Sequence, residues 1–472
     1  MKKLLLPAFA LLISVGVMNA KPVQFAAAKQ VAGNYMRQIA GLSGSTVRSS
    51  MDLVLTYTGT SAAGETDYFV FNLNGNKGFV IVSAEDAGHP ILGYSTEGTF
   101  DPGTAALNPE FNFWMGKRKK EIEYMRSSNV QADAEIKNEW KGYLSNTAAQ
   151  SNKITPGVNT VAPLCAALWD QNGAYNDKCP GNSLTGCVAT AMAIIMKKWA
   201  FPPQGKGQSS YASSYGTLSS NYGATTYNWV GMTTPTCSGS NPDVATLMFH
   251  CGVSVEMMYS PNGSGAFVCN PIPSAEHALP TYFKYDAGIH CVDQAANTTA
   301  AWIQLLKNEL DAGRPMGYQG VDGAQGGHIW VCDGYDASNN FHMNWGWSGF
   351  ENGYFAVTAL HADGLTFTSE LYALIGIQPS AATGIADNVT EEDFTMYPNP
   401  AGAEFTMEGS STSETVHYSI CNTLGAEVMS GNISAAGNNF SETIQVGGLS
   451  GGMYFLKVSD ENGSFARKLN KL

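Results

Sequence analysis

The chain has 472 residues, 44% hydrophobic and 14% charged, with 51 glycines. That length suits two or three domains, each able to bury a core, and the composition excludes a coiled coil or a disordered acidic chain. A formal charge of −13, from 26 Lys and Arg against 39 Asp and Glu, offers no basic face to phosphates and excludes a nucleic-acid binder.

Lys2 and Lys3 precede an apolar stretch over 4–17, and Ala20 supplies a small residue for cleavage. This is the build of a secretory signal peptide over 1–20, too short to span a bilayer. No later stretch is apolar for long enough, so no membrane span is expected in the mature form. A mixed segment follows over 21–150, with an Ala-rich helical start, strands at 68–71 and 79–82, and a helix over 109–126. The polar run 145–160 reads as an exposed linker, where proteases cut. The block 151–380 holds eight of the nine cysteines. A small, acidic linker over 381–392 leads to 393–472, whose short alternating runs between Gly and Asn turns predict a β-sandwich.

The cysteine count is odd and no C-x-x-C pair occurs, which argues against a structural zinc site and flags a reactive thiol. The richest stretch begins Thr185-Gly186-Cys187-Val188-Ala189-Thr190-Ala191-Met192-Ala193. No breaker follows until Pro202, so a helix of about three turns is expected, with Cys187 in its first turn. Free amides and the dipole at that end favour a thiolate, although a packed core cysteine fits the same place.

Far downstream, Gly326-Gly327-His328-Ile329-Trp330-Val331-Cys332 opens a strand at a histidine that backbone can approach closely. A turn leads to Phe341-His342-Met343-Asn344-Trp345-Gly346-Trp347, then to Gly353-Tyr354-Phe355, giving an antiparallel meander. His328 and Cys332 lie about 13 Å apart along their strand, too far to share a metal ion. No metal or cofactor is expected. Of the other histidines, His342 is the reserve candidate, since it shares a strand face with Asn344.

Cys187, His328 and Asn344 stand in the chain order of papain-like proteases. Imidazole takes the thiol proton, and an amide oxygen holds the ring in the right tautomer. Trp345 would shield that last hydrogen bond from water.

The sequence resembles the streptopain family of papain-like cysteine peptidases. The resemblance is carried by Trp169-Asp170-Gln171, Tyr175-Asn176, Cys179-Pro180, the Cys187 helix, Gly326-Gly327-His328 and Asn344-Trp345-Gly346-Trp347. It implies an α+β fold: a two-subdomain peptidase, helical on one side and antiparallel β on the other, behind an α+β inhibitory prodomain. It also implies Cys187 as nucleophile, His328 as base, Gln171 as oxyanion donor, and Asn344 and Trp345 as supports of the histidine. The segments 251–257 and 263–266 match the family's cleft wall, where an apolar side chain binds two positions before the scissile bond. The best prodomain matches are Gly78-Phe79-Val80-Ile81-Val82-Ser83 and Ile91-Leu92-Gly93-Tyr94-Ser95. Eight cysteines beside Cys187 depart from the family pattern.

Met396-Tyr397-Pro398-Asn399-Pro400, the hairpin-like Asn422-Thr423-Leu424-Gly425, Gly451-Gly452-Met453-Tyr454-Phe455 and the basic end Arg467-Lys468 resemble the sorting domain of type IX secretion. By that reading the tail is an Ig-like β-sandwich that meets the secretion machinery and directs the protein to the outside or the cell surface. The partners implied are protein and peptide substrates and the chain's own prodomain. Two rivals stand beside this reading. One is a secreted inhibitor or binding protein without catalysis; the other is a transglutaminase-type acyl transferase, which normally has Asp where Asn344 stands.

Overall fold

The computed structural model describes residues 21–42, 52–74, 76–145, 160–322, 326–358, 371–380, 394–410, 415–422, 427–435, 439–460 and 463–472. The signal peptide and most of both linkers lie outside the described residues. The N-terminal segment comprises α1 (Phe25–Leu42), β1 (Leu53–Thr60), β2 (Thr66–Leu73), β3 (Phe79–Ser83), β4 (Ile91–Ser95), α2 (Pro102–Leu107), α3 (Pro109–Ser127) and α4 (Ala134–Ser145). The central segment comprises α5 (Cys187–Trp199), β5 (Gln208–Ser213), β6 (Gly216–Asn221), α6 (Pro242–Ser254), α7 (Ala275–Phe283), β7 (His290–Asp293), α8 (Thr299–Asp311), β8 (Met316–Asp322), β9 (Gly326–Tyr335), β10 (Asn340–Asn344), β11 (Gly353–Ala356) and β12 (Leu371–Ile375).

A ten-stranded antiparallel sheet runs through both segments in the order β1-β2-β3-β4-β11-β10-β9-β8-β12-β7. The seam is β4 on β11, where Tyr94 pairs with Tyr354 and Gly93 with Phe355. The expected meander of β9, β10 and β11 is present. Along β9 the side chains alternate between two cores, as a strand's period of two dictates. Ile329 and Val331 join Ala191, Ile194 and Ile195 of α5, while Trp330 and Cys332 face the core shared by α3 and α8. A third core packs α1 and α4 against β1–β4.

Helix α3 starts where its sequence says it must. Asn108 caps it by accepting the Phe111 N–H at 2.9 Å, and Pro109 fills the first helical position. This places Glu110 in the first turn and lays Trp114 on the sheet. Trp114 meets Tyr318 and Trp330 with ring centroids 5.7 and 5.8 Å apart, and Trp330 meets Trp345 at 5.2 Å. Fully burying one large apolar side chain contributes about 1.5–3 kcal/mol, so this stack of rings binds α3 firmly. Polar contacts add direction: Arg118 donates to the Ala356 carbonyl at 3.0 Å, and Tyr94 donates to Asp336 at 2.9 Å.

Residues 380–472 form a second compact unit. One sheet has the order β13 (Phe394–Tyr397), β14 (Glu404–Ser410), β17 (Asn439–Gln445); the other has the order β16 (Glu427–Ser434), β15 (Thr415–Asn422), β18 (Gly452–Asp460), β19 (Gly463–Lys471). Phe405, Ile420, Ile433, Leu456 and Leu469 fill the core between them. Cys269 and Cys291 form a disulfide, and the remaining seven cysteines, Cys187 included, are free. Among the described residues, no helix is long and apolar enough to cross a membrane.

Candidate active site

Cys187 is the first residue of α5, as its sequence predicts. Gly186 before it has φ +86, and a Cβ there would lie 2.7 Å from the Met257 Sδ and 3.0 Å from the Ser264 carbonyl oxygen. Only glycine suits that backbone and that contact. The same approach brings the expected cleft-wall segments 251–257 and 263–266 against the start of the Cys187 helix.

His328 enters on β9, opposite Gly320 of β8. The sulfur of Cys187, a ring nitrogen of His328 and a carboxylate oxygen of Glu110 all lie within 4.8 Å of one another. The reserve candidate His342 is engaged elsewhere, with its Nδ1 2.6 Å from Asp333. Gln171 reaches the cluster too: its Nε2 donates to Glu110 at 3.3 Å, and its carbonyl accepts from the Thr185 N–H at 2.9 Å, just before the helix.

Asn344 and Trp345 lie at the edge of the cluster with other bonds than those expected. The Asn344 amide donates to the Ala167 carbonyl at 2.9 Å, and its oxygen accepts from the Gly346 N–H at 3.2 Å. The expected bond to His328 is not among them. Trp345 is buried in the core beneath α3, its indole N–H donating to the Glu351 carbonyl at 2.8 Å. These bonds hold the loop after β10.

Three contributors went unread in the sequence. Glu110 belongs to the N-terminal segment, yet its side chain is buried among central-segment residues. Its carboxylate lies 4.0 Å from the His328 Nδ1 and accepts the Trp347 indole N–H at 2.6 Å. Phe113, one turn further along α3, stacks obliquely on His328 with centroids 6.1 Å apart. It fills the space over Gly320, where a Cβ would come within 1.9 Å of its ring. Asp170 ties the site together from below, accepting from the Gln171 N–H at 2.6 Å and from the Ser348 hydroxyl at 2.6 Å. Asp170 and Trp347 sit inside motifs already singled out, though without a role; nothing local marks Glu110 beyond its place at a helix start.

The electrostatics follow from that insertion. Burial pushes the Cys187 thiol up to about 12, and the nearby Glu110 charge adds to the shift, against the backbone amides of Ile329, Val188 and Cys187. Burial raises the Glu110 carboxyl to about 7, opposed by its hydrogen bonds from Trp347 and Gln171. At Cys187 both effects favour the neutral thiol over the thiolate.

Fold and site together fit a cysteine peptidase, with Glu110 of the N-terminal segment packed beside Cys187 and His328. Residues 169–355 match the peptidase C10 family, 20–122 the Spi protease inhibitor and 395–471 the secretion system C-terminal sorting domain. The chain is 31% identical over 420 residues to streptopain of Streptococcus pyogenes, covering 80% of this chain and 99% of that one. It is 29% identical over 412 residues to the thiol protease/hemagglutinin PrtT of Porphyromonas gingivalis, of which it spans 46%. The prointerpain A structure from Prevotella intermedia aligns with a TM-score of 0.57 at 29% identity, covering 70% of this chain and all of that one. The chain belongs to the peptidase C10 family, with an inhibitor-type prodomain and a sorting domain that directs it to secretion or the cell surface.

Proposed function

We propose that the chain is the latent precursor of a secreted endopeptidase in which Cys187 is the nucleophile and His328 its base. The observation that carries this is the convergence of the two side chains at a helix start and a strand on facing cores. His328 takes the thiol proton, and the sulfur attacks the scissile carbonyl carbon. The tetrahedral oxyanion accepts from the Cys187 backbone N–H and from the Gln171 side chain. As the C–N bond breaks, the imidazolium protonates the leaving amine. Water, deprotonated by His328, then cleaves the thioester and frees the thiol.

In the precursor the Gln171 amide donates to the Glu110 carboxylate, which supports Glu110 and the oxyanion as competitors for that donor. In the mature enzyme Asn344 and Trp345 are assigned to orient and shelter the imidazole. Met257 and the 263–266 turn support a preference for an apolar residue two positions before the scissile bond. The working domains are 1–20 signal peptide, 21–150 prodomain, 151–380 peptidase, 381–392 linker and 393–472 sorting domain. The activating cut falls between α4 and Val161, because Val161 already pairs with Tyr335 and stays with the peptidase.

Gln171→Ala tests the oxyanion assignment. Loss of one such donor should lower kcat by about 10²–10³ while alkylation of Cys187, which needs no oxyanion, keeps its rate. A kcat within about threefold of wild type would remove Gln171 from the site. The tail makes a separate expectation. Deleting 393–472 should leave the purified peptidase fully active, since residues 380–472 close their own core, yet hold the protein in the periplasm of a host with type IX secretion. Lost catalysis with normal export would reverse that division of labour.

A further inference from the structure

We propose that the precursor binds a divalent transition-metal ion, Zn²⁺ foremost, between the Cys187 sulfur, a His328 ring nitrogen and the Glu110 carboxylate. The inference rests on the reading of Cys187 and His328 given above and adds a ligand that only the prodomain supplies. Sulfur, imidazole nitrogen and carboxylate oxygen are the donor types of tetrahedral zinc sites, and three protein ligands leave a fourth position for water.

The geometry is close to what such an ion requires. Zinc bonds of about 2.3 Å to sulfur and about 2.0–2.2 Å to nitrogen and oxygen set the donors about 3.3–3.8 Å apart. Here all three lie within 4.8 Å of one another, with the His328 Nδ1 to Glu110 oxygen distance at 4.0 Å. Small side-chain rotations close the difference. Each ligand stands on a regular element: Glu110 on α3, Cys187 on α5, His328 on β9. An outer layer is in place as well. The Trp347 and Gln171 N–H groups both donate to the Glu110 carboxylate, the kind of support that orients metal ligands.

The ion's charge would balance a thiolate and a carboxylate in a largely buried site, and the thiol proton would leave to solvent on binding. Because the ligands come from both sides of the cleft, the metal would pin α3 to the peptidase. Removal of the prodomain takes away one ligand of three, so the mature enzyme should hold the same ion far more weakly. The second sulfur-rich group, Cys269, Cys291 and Glu276, has its sulfurs tied in the disulfide and offers no comparable set.

Cobalt reports the sulfur ligand directly. Chelator-treated full-length precursor, titrated with Co²⁺ and back-titrated with Zn²⁺, should bind one equivalent and show a thiolate-to-cobalt charge-transfer band. Cys187→Ser should abolish the band, and Glu110→Gln should weaken Zn²⁺ binding by at least about tenfold, with circular dichroism confirming the fold of each. A wild-type precursor without the band would overturn the proposal. So would Glu110→Gln precursor titrating like wild type, or Cys187→Ser precursor retaining full Zn²⁺ affinity. Peptidase activity of separately matured enzyme, measured in chelator, keeps the two readings apart: activity intact without metal binding rejects the metal site alone.

Discussion

Precursor carrying Cys187→Ala is expected to stay at full length when incubated with reductant, whereas wild type shortens by losing its prodomain. Mature peptidase with the same substitution, prepared by an added protease, should fall in kcat by about 10⁶-fold, the scale on which loss of a catalytic nucleophile is felt. Intact-mass measurement over time reads the first effect, and hydrolysis of a fluorogenic peptide the second. The size of the effect follows from the chemistry: alanine leaves no atom to attack the carbonyl, while the oxyanion donors and cleft remain. Normal shortening of pure Cys187→Ala precursor would assign maturation to another protease or the nucleophile to another residue.

The second large effect concerns α3. In the precursor burial and the neighbouring Glu110 charge push the thiol up, so the thiolate is scarce at neutral pH. Freed of α3 and paired with an imidazolium, a cysteine of this type ionises well below neutrality. Alkylation of Cys187 by iodoacetamide at pH 7, followed by peptide mass spectrometry in chelator, should therefore quicken by about 10³-fold or more on prodomain removal. Glu110→Ala in the intact precursor should recover part of that gain, at least about tenfold, because it removes a neighbouring negative charge and opens space beside the sulfur. Maturation of that variant should also begin sooner. Equal labelling of precursor and mature enzyme would mean that α3 does not mask the thiol.

What could be read from the sequence was whatever is local. The Cys187 helix needed only an unbroken apolar run, and it begins at Cys187 in the structure. The helix expected over 109–126 spans Pro109–Ser127, and the strand expected at 79–82 spans Phe79–Ser83. His328 was legible because two glycines and a strand pattern surround it. What escaped is non-local. The pairing of β4 with β11 joins Tyr94 to Tyr354, and neither strand carries a mark of its distant partner. Glu110 reads as an ordinary acidic residue favoured in a first helical turn; its burial beside Cys187 depends on α3 docking over Trp330 and Trp345. Asn344 and Trp345 show the same limit from the other side. Their motif was recognisable, but their hydrogen bonds are set by Ala167, Gly346 and Glu351, and the Ala167 contact exists only once the chain folds.

The central claim is that mature Cys187 reacts as a thiolate paired with His328. Its most direct measurement is the pH dependence of Cys187 alkylation in mature enzyme, compared between wild type and His328→Ala. The wild-type midpoint should lie well below the free-thiol value of about 8.5 and move up towards it when the imidazole is removed. Identical profiles for the two proteins would contradict it and leave His342 as the base to test.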